Sequence, residues 1–173
     1  NVTNLVKDTH TSEWLFSNGR YFVAYNSDAG TSRKIAQNTT ESLPQVMDIA
    51  QSPNKAYLAF ETTDLIDNKE LTDLLTAENS KLVNANFPGA IQKTSGSRYK
   101  IDIPTWWLLN TNTRSISFIT QGSGRLEWSS GGNYTYLDDG KVVSKNPETN
   151  QLTALYSEKL VNAFHENGSS LLV

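Results

Sequence analysis

Few residues in this 173-residue chain carry side chains able to do chemistry, and they stand in small groups. His165 and Glu166 are adjacent, and an imidazole beside a carboxylate suits acid–base work near neutral pH. Both fall at the polar start of HENGSSLLV (165–173), where a solvated turn accounts for them. His10 is alone in a polar amino-terminal stretch, and two unlinked histidines do not make a zinc site. Asp138, Asp139 and Gly140 (DDG), and Asp28 to Gly30, bring carboxylates close together. Calcium asks for six to eight oxygens at fixed loop spacing, which neither stretch offers, whereas Asp-Gly is a strong hairpin turn signal. Asp64, Asp67, Glu70 and Asp73 crowd the amino-terminal end of a helical pattern, where the helix dipole favours them without a metal. The expectation is no catalytic residue, no metal and no cofactor.

Binding is a separate question. Trp106 and Trp107 are neighbours on a strand-like run, so their side chains point to opposite faces. One of the two is therefore expected to face out of the core, as an anchor for a protein or a sugar. The competing expectation is that an inserted helix covers it. Lys93, Arg98 and Tyr99 lie in a Gly- and Ser-rich stretch, FPGAIQKTSGSRYK (87–100), which reads as a mobile polar loop open to a partner.

The elements that must position these residues are read from composition and spacing. Charged residues make up 19% of the chain and aromatic ones 10%, a balance that leans towards strands. A net charge of −3 gives no electrostatic basis for nucleic acid or an anionic membrane. No apolar run reaches the length of a membrane span, and no signal peptide is visible. There is no cysteine, which excludes disulfides and thiolate metal sites. Four N-x-S/T sequons, at Asn1, Asn38, Asn133 and Asn167, are about the number that an Asn-, Ser- and Thr-rich chain carries by chance.

Three stretches share a polar turn that feeds an apolar strand: SPNKAYLAF (52–60), SSGGNYTYL (129–137) and HENGSSLLV (165–173). Three others share a strand, an Asn-led turn and a second strand: YFVAYNSDAGTSRKIA (21–36), WWLLNTNTRSISFIT (106–120) and VVSKNPETNQLTAL (142–155). Asn110 to Asn146 is 36 residues, and so is Ser129 to His165; Asn110 to Ser129 is 19, and so is Asn146 to His165. Two markers with one period and one phase define a repeat. The first copy is looser, with seven extra residues in the polar stretch QNTTESL (37–43). Between Phe60 and Thr105 lie 41 residues beyond the period. Within them DNKELTDLLTAENSKLV (67–83) predicts a helix with Leu71, Leu74, Leu75 and Leu82 on one face and an Asp67/Glu70 capping box.

A strand–hairpin–strand unit of this period is the size of a β-propeller blade, and such units bury their faces only by stacking. The chain is expected to be all-β: one domain over 1–173, a partial or small propeller of repeated four-stranded antiparallel units, with a helix-containing insertion at about 61–104. The alternative is an irregular β-sandwich.

These runs resemble the blades of the TolB, WD40-like and dipeptidyl-peptidase IV amino-terminal propellers. The family's Ser-Pro-Asp-Gly followed by an aromatic strand is matched best by SPNKAYLAF and by WSSGGNYTYL (128–137). The resemblance covers most of the chain outside 61–104 and three to three and a half blades. No copy keeps the full Ser-Pro-Asp-Gly, and the paired-glutamate segment of the peptidase propellers has no counterpart. A Gly-x-Ser-x-Gly elbow is also absent. The repeat, the lack of a catalytic constellation and an insertion far larger than a turn requires point to a non-catalytic, extracytoplasmic protein-interaction module, part of a larger exported or cell-surface protein. Two alternatives stand: a propeller segment gating substrate for a hydrolase domain elsewhere, and a carbohydrate-binding module using Trp106 or Trp107.

Overall fold

A computed structural model describes residues 3–8, 11–19, 21–37, 46–63, 69–82, 91–93, 99–101, 103–122, 124–138, 140–156, 165–167 and 170–172. Three four-stranded antiparallel sheets account for most of them. The first holds β1 (Thr3–Lys7), β2 (Glu13–Ser17), β3 (Tyr21–Asn26) and β4 (Thr31–Gln37) in chain order. The second holds β5 (Val46–Gln51), β6 (Tyr57–Thr62), β9 (Thr105–Asn110) and β10 (Ile116–Gln121). The third holds β11 (Glu127–Trp128), β12 (Tyr134–Asp138), β13 (Lys141–Lys145) and β14 (Leu152–Tyr156). A fourth unit begins with the paired strands β15 (His165–Asn167) and β16 (Ser170–Leu172). The chain is all-β, with one helix among the described residues.

Each sheet is built by the same turn chemistry. The Oδ1 atoms of Asn26, Asn110 and Asn146 each accept two backbone N–H groups, from the residues two and three further on, at 2.9–3.0 Å. Four residues after each Asn the chain turns left-handed, at Gly30 (φ 63), Arg114 (φ 62) and Asn150 (φ 58). A side-chain acceptor of this kind holds the backbone in a turn while the strands leave it antiparallel. Between the first and second strands of a sheet the device is different. Ser52 N–H donates to the Tyr57 carbonyl and Ser129 N–H to the Asn133 carbonyl, and each Ser hydroxyl closes the same loop. Asp8 takes this place in the first sheet, its N–H donating to the Glu13 carbonyl. That copy of the repeat, DTHTSEWLF (8–16), has Asp8 where the others have Ser52 and Ser129, and its turn carries no Asn or Gly.

The sheets stack face to face. Leu15, Phe22 and Ala24 of the first sheet meet Val46, Ile49, Leu58, Phe60, Trp107 and Leu109 of the second in one core. Ala59, Trp106 and Leu108 on the other face of the second sheet meet Trp128, Tyr134, Tyr136 and Val143 of the third in another. The first strands, β1, β5 and β11, approach one another and define the inner side of the stack. Trp128 Nε1 donates across it to the Ala50 carbonyl at 3.0 Å.

The stretch between β6 and β9 holds α1 (Lys69–Leu82) and a short hairpin, β7 (Ile91–Lys93) and β8 (Tyr99–Ile101). Leu71 and Leu75 are fully buried in the first core, and Leu74 packs against it. The side chain of Leu82, and Asp67 with its place in a capping box, lie outside the described residues. The stretch expected to be a loop is partly a β ladder, Ile91–Lys93 paired antiparallel to Tyr99–Ile101. Cross-strand hydrogen bonding by Ile91 and Ile101 outweighs the Gly and Ser between them.

Candidate functional site

Trp106 and Trp107 do point to opposite faces, but both are buried, at 1% and 0% exposure. This corrects the expectation of an outward-facing indole and meets the competing one for Trp107, whose core includes Leu71 and Leu75 of α1. The second sheet is covered on both sides, by the first sheet and α1 on one and by the third sheet on the other, so neither face is free. Trp107 Nε1 donates to Thr62 Oγ1 and Trp106 Nε1 to the Gly124 carbonyl, each at 2.9 Å. A buried indole N–H needs such a partner, and both are supplied internally.

The structure brings Lys93 and Tyr99 together as register partners of the β7–β8 hairpin. Arg98 lies outside the described residues, as do His10, Asp64 and Asp139. His165 and Glu166 fall on strand β15, opposite Leu172 and Leu171, rather than in a turn. The first strand there runs three residues further than the Ser129 alignment implies, to Asn167, while β16 starts at Ser170, 36 residues after Tyr134. Asp138 pairs with Lys141 across a two-residue turn that includes Gly140 (φ 74), and Asp28 sits exposed in the Asn26 turn. Asp28 is a turn residue, and Asp138 is the last residue of β12, flanking the turn. Among the described residues no group of three or more His, Asp or Glu is placed to hold a metal ion.

The structure reveals a polar constellation at the seam between the second and third sheets. Asp48 on β5 is the register partner of Glu61 on β6, which is in turn the partner of Trp106 on β9. Direct cross-strand partners share a face, so both carboxyls lie on the side of Trp106, towards the third sheet. They occupy the two inner strands, at the end of the sheet from which the insertion leaves. Arg125 reaches the same seam, pairs with Glu127 at 3.1 Å and acts on the Asp48 charge.

Burial, and secondarily the Asp48 charge, push the Glu61 carboxyl up to about 7. Burial also raises Asp48, against the opposing pull of the Ile49 N–H, which donates to its Oδ1 at 2.8 Å, and of Arg125. Two neighbouring carboxyls of raised pKa can share a proton or receive a cation. No nucleophile with an adjacent base is part of this constellation. A second polar group joins the first and second sheets. Arg33 donates to both oxygens of Glu13 and, at 3.3 Å, to Gln51 Oε1, while Lys55 stands 3.6 Å from Glu13. The Arg33 guanidinium holds the Glu13 carboxyl below its ordinary range.

No family model matches this chain, and no curated protein does. Among solved structures it is similar to dipeptidyl peptidase 4 of Porphyromonas gingivalis, with a TM-score of 0.55, 10% identity, and 94% of this chain and 20% of that one covered. A second likeness, to the tricorn protease, has a TM-score of 0.46 and 13% identity over 89% of this chain and 13% of that one. The first is a likeness of fold. Three four-stranded antiparallel sheets stacked in chain order, with a fourth begun, fit a partial propeller. The chain spans about a fifth of the length of the peptidase it matches.

Proposed function

We propose that this chain is a non-catalytic propeller segment of a peptidase-type protein, positioning peptide substrate for a hydrolase domain carried elsewhere in the polypeptide. The observation that carries the reading is the backbone likeness to a dipeptidyl peptidase over 94% of this chain and only a fifth of that one. The seam carboxyls Asp48 and Glu61, on the inner strands, fit a scaffold that meets cationic or polar groups without cleaving bonds. An extracytoplasmic location belongs to the same proposal. The test is to express the natural gene product and the 173-residue chain and offer both a chromogenic dipeptidyl substrate. Hydrolysis by the former alone supports the reading; hydrolysis by the isolated chain, or by neither, overturns it.

A second reading, a protein-interaction module, draws on the insertion. A turn of two residues joins β12 to β13, whereas the equivalent connection between β6 and β9 holds a helix and a hairpin. Lys69, Glu70 and Asp73 of that helix are exposed. If it binds a protein, replacing 63–104 by a short turn abolishes capture of that protein from the native source. The carbohydrate reading has lost its carriers, since both indoles are buried.

A further inference from the structure

The turns give each sheet a common numbering, and it exposes a face with no neighbouring sheet among the described residues. Counting six and eight residues from Asp8 gives Trp14 and Phe16, and from Ser52 gives Leu58 and Phe60. In the third sheet, whose turn is one residue shorter, the same places are Tyr134 and Tyr136. Counting back one and three from the turn Asn gives Tyr25 and Val23 in the first sheet, Leu109 and Trp107 in the second. In the second and third sheets all but one of these places are buried against the preceding sheet: Leu58, Phe60, Trp107 and Leu109 at 0%, Tyr134 at 1%, Val143 at 4% and Tyr136 at 5%, with Lys145 of the third sheet half-buried. The first sheet also has aromatic and aliphatic residues at these places, and no sheet precedes it among the described residues. Its contact with the second sheet is made by the opposite face, where Leu15, Phe22 and Ala24 meet β5, β6 and β9.

Trp14 and Phe16 are only half-buried, and Tyr25 remains 38% exposed. On the same face Leu5 of β1 is 53% exposed. An apolar sheet face of this composition is costly to leave in water and marks an interaction surface. We infer that the outward face of the first sheet, Leu5, Trp14, Phe16 and Tyr25 around the already buried Val23, is a docking surface for another four-stranded blade of the same protein, supplied by polypeptide outside these 173 residues. The inference rests on the reading of the chain as a propeller segment. It adds which face closes the ring and what meets it.

The numbering also specifies the occupant. The faces that this chain turns towards a following blade are small or aliphatic on the second strand and larger on the third, as Leu15 and Phe22 or Ala59 and Trp106. Gln51 receives Arg33 of the preceding sheet, but Lys7 holds the place of Gln51 in the first sheet. An arginine opposite Lys7 is repelled, so the occupant carries a carboxylate or a neutral group there.

Hydroxyl-radical footprinting of the intact natural protein tests this, with p-benzoylphenylalanine replacing Phe16 in a parallel sample. Trp14 and Tyr25 are expected to be labelled as slowly as the buried Trp107 and Tyr136, and the photo-cross-link is expected within one polypeptide, to a strand outside 1–173. Labelling of Tyr25 at the rate of an exposed tyrosine, or a cross-link to a separate polypeptide, overturns the inference. The dipeptidyl assay on the same protein reports separately on the functional reading, so either can fail while the other stands.

Discussion

Trp106 and Trp107, adjacent on β9, are buried in two different cores, each indole hydrogen-bonded at 2.9 Å to an internal acceptor. Each therefore ties the second sheet to a different neighbour. Trp106→Ala and Trp107→Ala are each expected to cost about 3–5 kcal/mol, through lost burial and the cavity left behind. Thr62→Val, which removes only the acceptor of the Trp107 N–H, costs about 1–3 kcal/mol, because that buried donor is left unpaired. Urea unfolding followed by circular dichroism measures all three. A Trp→Ala variant of unchanged stability would show that its indole is not in the core.

The Asn turns predict a graded series. Asn110→Ala and Asn146→Ala each remove an acceptor of two backbone N–H groups at an exposed turn, for a loss of about 1 kcal/mol each. The left-handed positions separate by residue type. Gly30→Ala places a Cβ at φ 63 and costs roughly 1 kcal/mol. Arg114→Gly relieves the same strain at φ 62 and gives up chain entropy, so it is neutral to stabilising. Thermal denaturation of the four variants checks the order, and a destabilised Arg114→Gly contradicts it.

The turns were the legible part of the fold. Asn110, Asn146 and Ser129 act through short-range hydrogen bonds, which sequence spacing records directly, and they bring the strands of the second and third sheets with them. The Asp8 copy was hidden because the same backbone bond forms without Ser, Asn or Gly in a fixed place. The burial of Trp107 was legible in part, since the inserted helix expected to cover an indole does so with Leu71 and Leu75; the cover of Trp106 by the third sheet was not, because alternation along β9 gives opposite faces but not what lies on each. The seam carboxyls do leave a signal in the sequence. Asp48 and Glu61 stand the same distance either side of the centre of the Ser52–Tyr57 turn, and its hairpin register pairs them. Arg125 left none, because it arrives from a connection between sheets.

The polar link between the first and second sheets weakens in acid. Glu13 has a folded pKa below its ordinary 4.5, so its contribution to stability is present above that value and is lost as pH falls through the folded one. Glu13→Gln should flatten the stability profile between about pH 5 and pH 3. Arg33 is partly exposed, so solvent screening limits the effect at neutral pH to about 1 kcal/mol or less. Urea midpoints measured across this range provide the test, and parallel acid limbs for the two proteins would count against the link.

Glu61 works in the opposite sense. Its carboxyl is raised from 4.5 to about 7, so between those values the folded protein holds a proton that the unfolded chain has released. Stability is then full below pH 4.5 and declines as pH rises towards 7, by at most about 1.4 kcal/mol per unit. Glu61→Gln removes the ionisation and nearly keeps the shape, so it should stabilise the protein at pH 8 and leave it unchanged at pH 4. Asp48→Asn discriminates between the two causes. Burial is the larger, and the Asp48 charge only adds to it, so Asp48→Asn should move the midpoint of the decline to lower pH without abolishing it. If the Asp48 charge were dominant, Asp48→Asn and Glu61→Gln would flatten the profile equally. Chemical unfolding at pH 4, 6 and 8 separates the three proteins, and identical profiles for wild type and Glu61→Gln would remove Glu61 from the account of the seam.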